Sequence, residues 1–138
     1  MSYLTVLEAL HTQLATVPGI KRVETGEPAT VQVTPMIYSM LQSFTRTTSG
    51  TMTTVDYRTR HRLLLALNSR PRAEEELIGY TNAIPAAICA PPRRGALPSG
   101  NMEIVMGDAG FVTIGNVEYR CLDFFSQAQE KARLGGDI

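Results

Sequence analysis

Apolar residues recur at three- and four-residue steps at the start of the chain, where Tyr3, Val6, Leu7, Leu10 and Leu14 form one stripe. This predicts a helix, with Ser2 or Thr5 as cap and Thr5 and Glu8 in capping-box spacing. Val17-Pro18-Gly19 ends it, because proline does not continue a helix and glycine supplies the turn. A short strand is expected over Ile20–Glu24, then a loop marked by Gly26 and Pro28. Pro35 confines any strand over Val31–Tyr38 to an edge or an irregular segment.

From Ser39 the pattern becomes extended. The window Thr45–Thr54 holds six threonines around Ser49-Gly50, which reads as the tip of a long β-hairpin over residues 39–67. The tip has too few apolar residues to be core and is expected to project. In the returning arm, Val55, Tyr57, Thr59, His61, Leu63, Leu65 and Leu67 share one face. Asp56, Arg58, Arg60, Arg62, Leu64, Ala66 and Asn68 share the other. The arm turns apolar on both faces near its end, as a central strand covered twice would be.

A second helix is expected after Ser69-Arg70-Pro71, with Glu74, Glu75 and Glu76 near its positive end. Its expected buried stripe is Leu77, Ile78, Thr81, Ile84 and Ile88, with Pro85 placed to kink or divide it. Pro91-Pro92 stops it, and residues 91–100 read as a loop rich in breakers. The remainder predicts a meander of three strands, Met102–Met106, Gly110–Ile114 and Val117–Phe125, turning at Gly107-Asp108 and Gly115-Asn116. Residues 127–138 read as a polar helix end or loose tail. The sum is an α+β fold over one domain, residues 1–138. It has two helices packed on a largely antiparallel sheet with a long projecting β-hairpin.

Composition sharpens this picture. The 138 residues are 43% hydrophobic and only 19% charged, with thirteen basic and thirteen acidic side chains and a net charge of zero. Such a chain lacks the positive excess of a general nucleic-acid binder, and near-neutral chains associate readily. The balance reads as a subunit. Its charges are unevenly placed: residues 46–94 hold eight basic and four acidic side chains, residues 95–138 three and six. That polarity suits head-to-tail association. Cys89 and Cys121 are too few for a disulfide scaffold or a zinc site and read as buried, reduced thiols in a reducing compartment. The first residues lack a basic leader and no long apolar run exists, so neither secretion nor a membrane span is expected.

A search for chemistry yields little. His11 and His61 have no nearby cysteine or His-Glu helical pair and read as packed or surface residues. Gly107-Asp108-Ala109-Gly110 lacks the Lys-Ser/Thr and following helix of a phosphate loop and reads as a hairpin turn. Glu74–Glu76, consecutive on a helix, point apart and read as a solvated first turn. No catalytic, metal or cofactor residue is assigned, and an enzyme is the least supported class. The strongest constellation is Arg58, Arg60 and Arg62, about 7 Å apart along one strand face. Such a row can follow a nucleic-acid backbone. It can equally pair with carboxylates of the same sheet or a neighbouring subunit, and the charge map favours that second reading.

The opening Val-Leu-Glu-Ala-Leu-His-Thr-Gln-Leu-Ala-Thr-Val-Pro-Gly-Ile-Lys, then Thr-Pro-Met-Ile-Tyr, the long hairpin, the strand Tyr57–Leu67, the helix with Ile84-Pro85 and the closing Tyr-Arg-Cys-Leu-Asp-Phe together form a pattern. Over about residues 4–125 it resembles the tail-terminator proteins of long-tailed bacteriophages and of tail-like gene-transfer particles. The resemblance implies a small α+β fold and a hexameric ring, part of the virion tail or neck and assembled in the host cytoplasm. Such a ring caps the tail-tube protein, stops its polymerisation and presents a surface to a head-side connector or stopper. DNA passes through without sequence-specific binding.

The hairpin and the arginine row then become expected contacts. The candidate interface comprises Arg46, Thr47, Thr48, Ser49, Gly50, Thr51, Met52, Arg58, Arg60, Arg62, Arg93, Arg94, Glu103 and Asp108, with Glu118 and Asp123 as further acids for the row. Two alternatives stand beside this reading. One is a head-completion or stopper protein of the neck, and the other a small nucleic-acid-binding module using the Arg58/Arg60/Arg62 strand.

Overall fold

The alternation in the returning arm is carried into a five-stranded sheet of order β1-β2-β3-β5-β4. A computed structural model describes the backbone of residues 3–89 and 102–133, and the side chains of residues 3–88 and 107–129. The described elements run α1 (Tyr3–Leu14), β1 (Arg22–Thr25), β2 (Met36–Ser49), β3 (Met52–Ala66), α2 (Arg70–Cys89), β4 (Met102–Ile114) and β5 (Val117–Arg133). β1 pairs with β2 in parallel; every other pairing is antiparallel. The fold is α+β, with both helices against one face.

That face holds the main core. Val6, Leu10 and Leu14 of α1 and Leu77, Ile84 and Ile88 of α2 pack on Ile37, Leu63, Leu65, Leu122 and Phe124. β3 is the central strand: Leu63, Leu64 and Leu65 are all buried, because Leu64 belongs to a smaller cluster on the opposite face. There it meets Met36, Tyr38, Ile114, Tyr119 and Cys121, with Val31 laid against them. Val31 belongs to the connection between β1 and β2, so this connection crosses the second face and caps its lower half. It also reaches the β4–β5 turn, where a Cβ on Gly115 would come within 3.3 Å of the Ala29 carbonyl. Gly115 and Asn116 both have positive φ, 59° and 65°, as a two-residue hairpin turn matched to the strand twist requires.

The β2–β3 hairpin turns at Gly50-Thr51, with Ser49 opposite Met52. β1 covers β2 only from Met36 to Ser39; beyond that β2 has no further strand neighbour among the described residues. The hairpin does not stand as two strands alone, since β5 follows β3 to its end and sets Arg133 opposite Met52. The expected polar tail over residues 127–138 is therefore strand as far as Arg133, its backbone held by the β3 ladder. Residues 134–138 lie outside the described residues, as do the loop after Cys89 and its breakers.

Four further expectations are corrected. Met102–Ile114 is one strand, not two. Gly107-Asp108 sits inside it opposite Phe124 and Asp123, with a register shift between Ile104 and Met106 in place of a turn. Thr5 lies inside α1 and does not cap it. α2 begins at Arg70, has no acid in its first turn and continues through Pro85 undivided. Its buried side is Ala73, Leu77, Ile84 and Ile88, while Ile78 is exposed and Thr81 spends its hydroxyl on the Ile78 carbonyl.

Candidate functional site

The upper half of the second sheet face, which no described element covers, carries the arginine row. Alternation along β3 places Arg58, Arg60 and Arg62 there, and the β5 register sets them opposite Gln127, Phe125 and Asp123. Asp123 accepts from two arginines at once. Arg62 donates Nε to Oδ1 at 2.7 Å and Nη2 to Oδ2 at 2.9 Å, while Arg60 donates Nη2 and Nε to Oδ2 at 2.7 and 3.2 Å. Arg62 also donates Nη1 to the Tyr38 hydroxyl at 3.2 Å. Burial works against the Arg62 charge, but the bonds and charge of Asp123 hold its pKa above the ordinary value. Burial raises the Tyr38 phenol, with Arg62 opposing.

Arg58 differs from its neighbours. Its guanidinium lies over the Phe125 ring, 5.2 Å from the centroid, and its Nε is buried without a hydrogen-bond partner among the described residues. Asp56, two residues before it on the same face, is engaged by Gln129 at 2.9 Å. Two of the three guanidiniums thus share the carboxylate of Asp123, and the third, that of Arg58, does not reach it. Tyr38 and Phe125 are 1% and 8% exposed, so the row lies over its aromatic neighbours and offers no ring for base stacking.

The expected acids separate on inspection. Asp123 pairs inside its own sheet, which realises the same-sheet alternative for Arg60 and Arg62. Glu118 is 3.5 Å from Arg70. Asp108 is exposed and, on β4 directly opposite Asp123, shares the face of the row. Glu103 has its backbone opposite Gln127, with its side chain outside the described residues, where Arg93 and Arg94 also fall. Arg46, Thr47, Thr48, Ser49, Gly50, Thr51 and Met52 are exposed around the hairpin turn. Thr53 is not; it is 2% exposed, with its hydroxyl 3.3 Å from that of Thr48.

Three arrangements were not foreseen. The first is apolar exposure at the sheet edges on the helix side: Leu41 and Phe44 on β2, and Phe111 on β4. Phe111 is flanked by Arg70 and Arg120, and Arg120 reaches Glu74 at 3.0 Å, so Glu74, exposed as expected, also pairs between elements. The second is a register shift between Leu41 and Ser43, which puts both Leu41 and Phe44 on one face. The third is a buried polar line beneath α1. His61, fully buried, has Nδ1 2.6 Å from the Ser39 hydroxyl and Nε2 2.7 Å from that of Ser126. A neutral imidazole donates to one serine and accepts from the other. Burial, with the nearby His11 as a second cause, pushes its pKa down to about 3. Tyr3 and Thr59 hydroxyls meet at 2.7 Å alongside.

The Ser-His-Ser line has no access to solvent and cannot meet a substrate. A hollow of about 430 Å³ beside the start of α2 is lined by groups such as Lys21, Asn68, Ser69, Arg72 and Glu76, without a nucleophile and base in contact. Among the described residues no three His, Cys, Asp or Glu side chains gather as metal ligands, and no helix is long and apolar enough to cross a membrane. No protein-family model matches the chain, and no curated protein is detectably similar to it in sequence.

Proposed function

We propose that the chain is a structural assembly subunit, a ring-forming tail terminator that caps a phage tail tube and joins it to a head-side connector. One observation carries the reading. Both helices cover the same sheet face, leaving an arginine-rich opposite face and a β2 edge, residues 40–49, without a described neighbour. Long unpaired edges invite another chain, and this one has a single charged side chain, Arg46. The neutral net charge and its uneven distribution support association of like copies. The resemblance over residues 4–125 supplies the specific role, with the tube protein and the connector as axial partners and DNA passing through the ring.

The nucleic-acid alternative draws on the same arginines. Against it stand the internal pairing of Arg60 and Arg62 and the burial of both neighbouring rings. Light scattering on the purified chain, followed by negative-stain images, separates the two. Closed rings are expected. A monomer that binds labelled oligonucleotide at physiological salt would overturn the proposal.

A further inference from the structure

We propose that α1 is a latch released by acid: proton uptake by His61 and His11 swings the helix off the sheet about Gly19 while the strands stay paired. The inference goes beyond the assembly reading and does not depend on it. It starts from what α1 covers. The Tyr3 hydroxyl meets that of Thr59 at 2.7 Å, and the Tyr3 ring lies 5.0 Å from that of Tyr57. Thr59 and His61 are successive positions on the helix side of β3, so α1 lies over the Ser39–His61–Ser126 line. Filling a core site with an imidazole and two hydroxyls gains little over apolar groups of the same shape. What it adds is a response to protons.

His61 is fully buried, with both ring nitrogens in hydrogen bonds. His11, on α1, has its Nε2 buried without a hydrogen-bond partner among the described residues. Burial opposes a positive charge on each, and a charge on His11 further opposes one on His61. The elements packed around the pair bring no carboxylate to it among the described residues. β2 supplies Ser39 and β5 supplies Ser126 and Phe124, while α2 lays Leu77, Ile84 and Ile88 on the same face. Tyr80, the titratable side chain that α2 adds to this core, turns its hydroxyl toward the Pro18 carbonyl, 3.5 Å away. Glu8, the one carboxylate of α1, is exposed and makes no ion pair among the described residues.

The fold lets the helix leave alone. No described strand pairing runs through α1, and residues 15–21 are what ties it to β1. Within that connection Gly19 has a φ of 89°, a left-handed conformation that glycine adopts without strain. A pivot there carries Val6, Leu10 and Leu14 out of the core as one stripe and uncovers His61. Those apolar contacts hold the latch shut at neutral pH. Once the helix is off, both imidazoles titrate near the ordinary value of about 6.5. Each pH unit below it then favours the open form by up to about tenfold per histidine.

The test is hydrogen exchange of the full chain from pH 7 to pH 5, read by peptide mass spectrometry and corrected for intrinsic rates. This range lies above ordinary carboxylate titration. The opening constant of residues 3–14 should rise about 25-fold through His61 alone, and further where His11 contributes. The core amides of β3 and β5 should stay protected. His61→Gln can still donate to one serine and accept from the other. Combined with His11→Gln it should remove the pH dependence and leave α1 protected at pH 7. Opening of α1 and the strands together would be unfolding of the whole chain and overturn the latch. So would an α1 opening that does not change with pH, or a pH dependence that survives both substitutions. Should the His61 variant not fold, the wild-type profile still decides, because local and global opening differ in which peptides respond.

Discussion

Arg62 and Asp123 stand directly opposite across β3 and β5 and meet through two parallel hydrogen bonds of 2.7 and 2.9 Å. The fork geometry orders both side chains, and with Arg62 16% and Asp123 13% exposed, water screens the pair only partly. Asp123→Ala would leave Arg60 and Arg62 side by side without an acid. The expected cost is about 2–4 kcal/mol, toward the low side of a buried pair because Arg60 is less buried. Denaturant titration of the monomer measures it. A loss no larger than that of an exposed ion pair would mean that the cluster does not hold the sheet.

His61 gives the fold a pH dependence of known sign. The unfolded imidazole titrates near 6.5 and the folded one near 3, so between these values only the unfolded chain takes up the proton. Stability is therefore full above about 6.5 and declines as pH falls toward 3, by up to about 1.4 kcal/mol per pH unit. Burial lowers the His11 pKa too, adding in the same direction. Urea midpoints at neutral and mildly acidic pH should show the decline, and His61→Gln should flatten it.

The two isoleucines of α2 should behave oppositely. Ile84 is fully buried and Ile78 is 59% exposed. Ile84→Ala is expected to cost about 2–5 kcal/mol, and Ile78→Ser about half a kcal/mol or less in the isolated chain. Thermal melts of the two variants would reveal a wrong helix orientation at once.

Cys121 should be slow to react. Burial raises its thiol pKa, with Asp123 adding to the effect, which lowers the thiolate fraction that attacks reagents. Alkylation followed by peptide mapping should find Cys121 protected in the native chain and labelled in denaturant.

Much of this was readable from alternation alone. Residues 55–66 divide between two faces as their polarity requires, and that division placed the arginines. Other segments misled for identifiable reasons. Gly107 looks like a turn, yet a Cβ there would meet the Asp123 carbonyl at 3.4 Å and the Phe124 ring at 3.6 Å. It is a spacer within a strand. Gln127–Arg133 has no apolar alternation to announce a strand; its pairing comes from β3, and tertiary context overrides local preference. The internal use of Asp123 was open in sequence because two residues 61 positions apart reveal their pairing only through register. Exposed Leu41 and Phe44 depend on a one-residue register shift that periodicity does not carry.

The strand that comes last among those described does not lie at the rim. β5 sits between β3 and β4 and joins them. A ribosome that has released the chain only as far as Ile114 has therefore delivered four strands that cannot yet form one sheet. The β2–β3 hairpin can close locally, but its inner side and the whole of β4 wait for residues 117–133 to emerge. Completion thus waits until residues 117–133 have emerged, when long-range pairing closes the sheet in one step. Until then β3 exposes the strand edge and leucine-rich segment that β5 later shields, and early chain release would leave that edge for chaperones or for aggregation.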